Sequence, residues 1–211
     1  MPPAVTVVDF GAGNLRSVCQ ALDHCGATVA RARTADQVMA ADRLILPGVG
    51  AFGACFAGLR DQGLIEPLRA FAASGRPFLG ICVGMQMMFD ESLEFGLHPG
   101  LGLIPGRVEP VPPAGADGRA HRIPHIGWNA LRPVADWAGT PLAAIVPGES
   151  VYFIHSFAGH ASNPAHRLAE CDYDGVPLLA AVRRDNLTGC QFHPEKSGPM
   201  GLRLLGEFLR G

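Results

Sequence analysis

From Ala4 to Phe89, short apolar runs rich in β-branched side chains alternate with segments whose apolar residues recur at helical spacing, and few folds accept that rhythm. AVTVVDF is followed by NLRSVCQALDHCG, where Leu15, Val18, Cys19 and Leu22 share one helical face. Asn14 reads as the N-cap of that helix and Gly26 as its stop. ATVARA then gives a second strand and RLILPGVG a third that ends in a glycine loop. FAGLRDQGLIEPLRAFAA reads as one helix and RPFLGI as a fourth strand. Strands separated by helices pair in parallel, with helices on both faces. The predicted fold is a three-layer α/β sandwich, flavodoxin-like, around a mostly parallel central sheet.

Beyond Gly100 the rhythm changes. GLGLIPGRVEPV, IPHIGWNAL, SVYFIHSF, HRLAECDY, PLLAAVRRD and LTGCQFH read as shorter strands, several joined by hairpin-length turns. They predict an antiparallel extension of the same sheet. SGPM opens a last helix in which Leu202, Leu205, Phe208 and Leu209 share a face. VPPAGADGRA, residues 111–120, is the clearest exposed loop. The 211 residues show no internal repeat and fit one domain, 1–211.

A formal net charge of -2 provides no basic field for nucleic acid or an anionic membrane. The six cysteines form no CxxC pair, which argues against a zinc ribbon or a redox dithiol and for reduced thiols. MPPAVTVVDF has no charged leader, and no apolar stretch reaches about 18 residues without Gly or Pro. The chain reads as a soluble, cytoplasmic protein.

In GICVG, Cys82 sits two residues from each glycine at a strand-to-helix junction, the setting of a nucleophile elbow. A nucleophile on a strained backbone needs neighbours without side chains, so that the chain can turn and a substrate can approach. A following helix would also favour the thiolate through its dipole. Cysteine is equally a common buried residue, so the elbow alone leaves both readings open. QFHPEKSG adds a base and its orienting group: on a continuing strand, His193 and Glu195 project from the same face. The acid follows the histidine, unlike the nucleophile, acid, histidine order of the α/β-hydrolases. Backbone N–H groups at Val83 and in the PGVG loop, at Val49 and Gly50, are the candidate oxyanion hole.

PGVG, GICVGMQ and QFHPEKSG, in this order, resemble the class I, triad-type glutamine amidotransferases. DFGAGNLRSV, GLGLIPGRV, PHIGWN and YFIHSF extend the likeness to the glutaminase subunits of imidazole glycerol phosphate synthase within that family. The resemblance implies that Cys82 attacks the glutamine side-chain amide, with His193 as base and acid and Glu195 as its orienter. It implies a glutamine site that includes Gly50, Gln86, His155 and Ser156. It further implies a heterodimer with a (β/α)8-barrel cyclase that receives ammonia in histidine biosynthesis, with Asn14, Arg16, Trp128 and Asn129 at the contact, and no cofactor. HSFAG departs from the family at Phe157 and Ala158, and the 111–120 loop is proline- and glycine-rich, so interface contacts near it are not carried over. The competing readings are another triad glutaminase, of the pyridoxal phosphate, anthranilate or GMP synthase type, or a catalytically silent flavodoxin-like binding module. GAGN, with Arg16 where a dinucleotide fingerprint needs glycine, reads as a β-α turn. His121 and His125 read as a surface pair rather than a metal site.

Overall fold

β1 (Ala4–Val8) is buried from Val5 onward, as a strand covered on both faces must be. In the computed structural model, which describes residues 2–11 and 13–211, it lies between two parallel neighbours. Met1, and Ala12 of the expected GAGN turn, lie outside the described residues. After β1 come α1 (Leu15–His24), β2 (Thr28–Ala32), α2 (Ala35–Met39), β3 (Leu44–Gly48), α3 (Phe52–Asp61), α4 (Ile65–Ala73) and β4 (Phe78–Cys82). The chain continues through α5 (Val83–Gln86), β5 (Phe89–Ser92), β6 (His98–Pro99), β7 (Ile104–Pro110) and β8 (His125–Pro133). The last elements are β9 (Ser150–His155), β10 (Phe157–Ala161), β11 (Arg167–Tyr173), β12 (Val176–Arg184), β13 (Leu187–Cys190) and α6 (Gly198–Arg210).

Nine strands form one sheet in the order β2-β1-β3-β4-β13-β12-β11-β8-β9. Pairing is parallel from β2 to β13 and antiparallel from β13 to β9, so the expected parallel sheet with an antiparallel extension is present. α1 packs beside α6 and α2 beside α4. β3, β4 and β13 are buried throughout, which explains the continuous apolar runs of β3 and β4.

Three details depart from the sequence reading. The segment from Phe52 to Ala73 is two helices, because Gly63 turns left-handed (φ 67°) between them. The helix after Cys82 is a single turn of four residues, too short to lend the thiol much dipole. SVYFIHSF is two strands: the chain leaves the large sheet at Ser156, and β10 joins a second sheet ordered β10-β7-β5-β6. Alternation marks both halves as strands but carries no record of which partner each takes.

Cys82 ends β4 with φ 54° and ψ -114°, a conformation costly for a residue with a Cβ. Its flanking glycines are required by contact. A Cβ on Gly84 would stand 1.8 Å from the Leu46 carbonyl oxygen, and one on Gly80 2.8 Å from the Met85 backbone. Gly84→Ala should therefore lower stability by about 3 kcal/mol in urea unfolding, since β3 cannot retreat. Gly63→Ala, which meets nothing within 4 Å, should cost only about 1 kcal/mol for its left-handed φ. Equal losses would refute the clamp.

Candidate active site

The parallel strands bring three loops to one end of the sheet: the elbow after β4, the Val49–Gly50 loop after β3, and the turn after β13 that carries His193. They surround a cavity of about 440 Å³ lined by Val49, Gly50, Cys82, Val83, Gln86 and His193, and by residues 154–157 of the β9–β10 junction. Small-molecule sites span about 300–1,000 Å³.

His193 is buried, with Nδ1 2.8 Å from Glu195 Oε1, and it lines the same cavity as Cys82. The route to this geometry is not the expected one. β13 stops at Cys190, and Pro194–Lys196 is a short 3-10 turn that curls the carboxylate back onto the ring. A backbone bond from the His193 N–H to the Tyr152 carbonyl (3.0 Å) and one from Ser197 Oγ to the His193 carbonyl (2.7 Å) hold the turn.

Asn14 occupies the N-cap position of α1 but makes no capping bond. Its amide instead donates to Glu195 Oε1 at 3.3 Å. Glu195 Oε2 is buried without a hydrogen-bond partner among the described residues. A carboxylate so poorly solvated is relieved by a cation beside it. Burial works against a charged His193, yet the hydrogen bonds and charges of Cys82 and Glu195 outweigh it and raise the imidazole from 6.5 to about 10. Burial pushes Cys55 to about 11 and Cys190 well upward, so both stay thiols.

Gln86 is buried and donates to the Phe157 carbonyl (2.9 Å) and to Gln191 Oε1 (3.0 Å). Gln191 Nε2 in turn lies 3.8 Å from Cys82 Sγ. His155 Nδ1 contacts the same Phe157 carbonyl at 2.9 Å, and Ser156 lines the cavity. Val49 is exposed, and its carbonyl accepts from Cys55 Sγ (3.3 Å), which ties the loop to α3. Gly50 has φ 96°. Of the residues expected at a partner contact, Trp128 is 55% exposed and Arg16 is exposed, whereas Asn14 and Asn129 make internal bonds, the latter to the Asp172 carbonyl (2.6 Å).

The surface pair expected at His121 and His125 is a correction. Both side chains are buried and both rings lie against Tyr173, because β8 alternates and His125 falls on its inner face. Among the described residues, no group of three His, Cys, Asp or Glu side chains is placed to hold a metal ion. The sequence reading passed over Glu94, Gln191 and Lys196. Gln191 had a signal, a polar residue between Cys190 and Phe192 directly after a strand-like run. Glu94 had none, since its loop reaches the cavity only through the second sheet; it lines the cavity and accepts the Phe52 N–H at 2.6 Å.

Residues 6–210 match the family described as glutamine amidotransferase class-I. The imidazole glycerol phosphate synthase subunit HisH 1 of Legionella pneumophila (strain Lens) is 51% identical over 210 residues, 98% of this chain and 99% of that protein. The HisH subunit of Rhodospirillum rubrum is 49% identical over 214 residues, 98% of each. Among solved structures, PurLQS from Thermotoga maritima superposes with a TM-score of 0.73 at 21% identity, covering 100% of this chain and 99% of that one. This last likeness is one of fold.

Because the folded-state pKa of His193 lies above the unfolded value, its protonation stabilises the fold fully below pH 6.5, and the contribution is lost as pH rises through about 10. Glu195→Gln removes the anion and should lower that titration. Imidazole NMR across the pH range measures it; a His193 titration unchanged by the substitution would contradict the assignment.

Proposed function

The chain belongs to the class-I glutamine amidotransferases, and from that premise we propose that it is the glutaminase subunit of imidazole glycerol phosphate synthase, with Cys82 as nucleophile, His193 as base and acid, and Glu195 as orienter. The observation that carries the reading is the strained Cys82 backbone, which presents the thiol to a cavity that His193 shares. The thiolate attacks the side-chain amide carbon of glutamine, and the resulting oxyanion meets the Val83 N–H and the Val49–Gly50 loop. His193 gives its proton to the leaving nitrogen, the C–N bond breaks, and ammonia departs from a glutamyl thioester. Water, deprotonated by His193, then releases glutamate and the thiolate.

Glutamine carries an ammonium and a carboxylate as well as its amide. Glu94 is the one acidic side chain lining the cavity among the described residues, and Lys196 is the one lysine. We assign Glu94 to the ammonium and place Lys196 at the mouth, facing the carboxylate. Gln86, His155 and Ser156 belong to the wall that holds the amide end.

The outward face of β8–β9 sets Ile126 opposite Ile154 and Trp128 opposite Tyr152. Ile126, Trp128 and Ile154 are exposed, and Ile154 also lines the cavity. An apolar face continuous with an ammonia-producing site suits a partner that must take up the product dry. The partner in this reading is a (β/α)8-barrel cyclase, with Arg16, exposed on α1, as a further contact. No helix among the described residues is long and apolar enough to cross a membrane. Six free cysteines suit a reducing compartment, the cytoplasm.

Cys82→Ser and His193→Asn should each cut glutamate release by about a thousandfold or more while leaving the circular dichroism unchanged. Glutamate release should be weak from the isolated chain and strong with cyclase and its nucleotide ligand, because ammonia is wasted without a receiver. Full activity in either variant would overturn the triad, equal rates with and without cyclase would overturn the coupling, and no release under any condition would favour a silent binding module.

A further inference from the structure

Two imidazoles, His155 in the cavity wall and His125 behind it, are not used by the triad chemistry. His125 on β8 and His155 on β9 are direct cross-strand partners, buried on the inner face of the sheet. His125 Nδ1 stands 3.0 Å from His155 Nε2, and His155 Nδ1 stands 2.9 Å from the Phe157 carbonyl.

A carbonyl can only accept, so His155 Nδ1 carries its hydrogen. Burial depresses His155 to about 3 and His125 to about 4, which keeps both rings neutral. A neutral ring protonated at Nδ1 has a bare Nε2, so His155 Nε2 accepts and His125 Nδ1 donates to it. His125 Nε2 is then also bare, and it faces the Asn129 amide nitrogen at 3.5 Å. One acceptor at the end thus fixes both tautomers. The bonds run one way, from Asn129 through His125 and His155 to the Phe157 oxygen.

That oxygen also accepts from Gln86, which bonds Gln191 beside the Cys82 thiol. Two chains therefore meet on a single carbonyl. One begins on the strand whose outer face carries Trp128, and the other ends at the nucleophile.

We propose that His125 and His155 are positioning residues for glutamine: through this directed chain they hold the Phe157 carbonyl, and with it Gln86, in the geometry that binds the substrate. The inference rests on the glutaminase reading of the site. A packing role is the alternative, since His125 also stacks on Phe153 and lies tilted against Tyr173, with centroids 4.9 and 4.1 Å apart.

Two substitutions separate these roles. His125→Phe keeps a flat ring and loses the donor; His125→Asn keeps a donor at the Nδ1 position and loses the ring. In the complex with cyclase, His125→Phe should raise the KM for glutamine about tenfold with kcat within about twofold, and His125→Asn should restore most of the loss. An unchanged KM in His125→Phe, or a larger defect in His125→Asn than in His125→Phe, would overturn the proposal. Nitrogen NMR of the wild-type imidazoles tests it without any variant: both rings should be Nδ1–H tautomers at neutral pH, and an Nε2–H tautomer in either would overturn it. Absence of glutamate release from the wild-type complex would instead overturn the glutaminase reading, and the proposal with it.

Discussion

The left-handed backbone at Cys82 is the constraint from which the site follows. A residue with a Cβ is held at φ 54° only where its surroundings leave no alternative. Here the surroundings are backbone atoms. Gly84 lies so close to the Leu46 carbonyl, and Gly80 to Met85, that neither position admits a methyl group. β3 and β4, paired in register from Leu44 to Gly48, thus fix the elbow from one side, and the same pairing places the Val49–Gly50 loop beside it. The proposed nucleophile and the proposed oxyanion loop are positioned by a single piece of sheet.

The remaining chemistry is brought in by β13, which pairs with β4 in parallel from the other side. Its exit carries His193 to the cavity that Cys82 lines, and the 3-10 turn at Pro194 folds Glu195 onto the ring. The carboxylate is starved of other partners, with one oxygen shared by Asn14 and His193 and the other unpaired among the described residues. Low solvation makes the carboxylate a strong stabiliser of an imidazolium, and an imidazolium stabilises a thiolate. Cys55 and Cys190, near the same site, are pushed up by burial and stay thiols. Selectivity among the thiols comes from their surroundings.

Much of this was legible in the sequence. The parallel half is written in continuous apolar strands and the elbow in paired glycines, because both depend on local sterics and full burial. GICVG and QFHPE could be joined because parallel strands in such a fold share one functional edge. What could not be read depends on pairing across long separations. The division of YFIHSF between two sheets, the burial of His125 against Tyr173, and the arrival of Glu94 at the cavity are set by the partners of β9, β8 and β5. Alternation of side chains is the same whichever partner a strand takes. Asn14 is instructive in another way: the residue type suits a cap, but its side chain is turned to the buried carboxylate of Glu195, to which its amide donates, and its oxygen accepts from no N–H of α1.

If the clamped elbow makes Cys82 the nucleophile, an electrophilic glutamine analogue should find it and pass over the other five cysteines. Treatment of the cyclase complex with a chloroketone analogue of glutamine, followed by intact-mass measurement and peptide mapping, tests this. One adduct, on the peptide containing Cys82 and prevented by excess glutamine, is the expected result. A glutamine-protected adduct on Cys55 or Cys190, or none on Cys82, would contradict it.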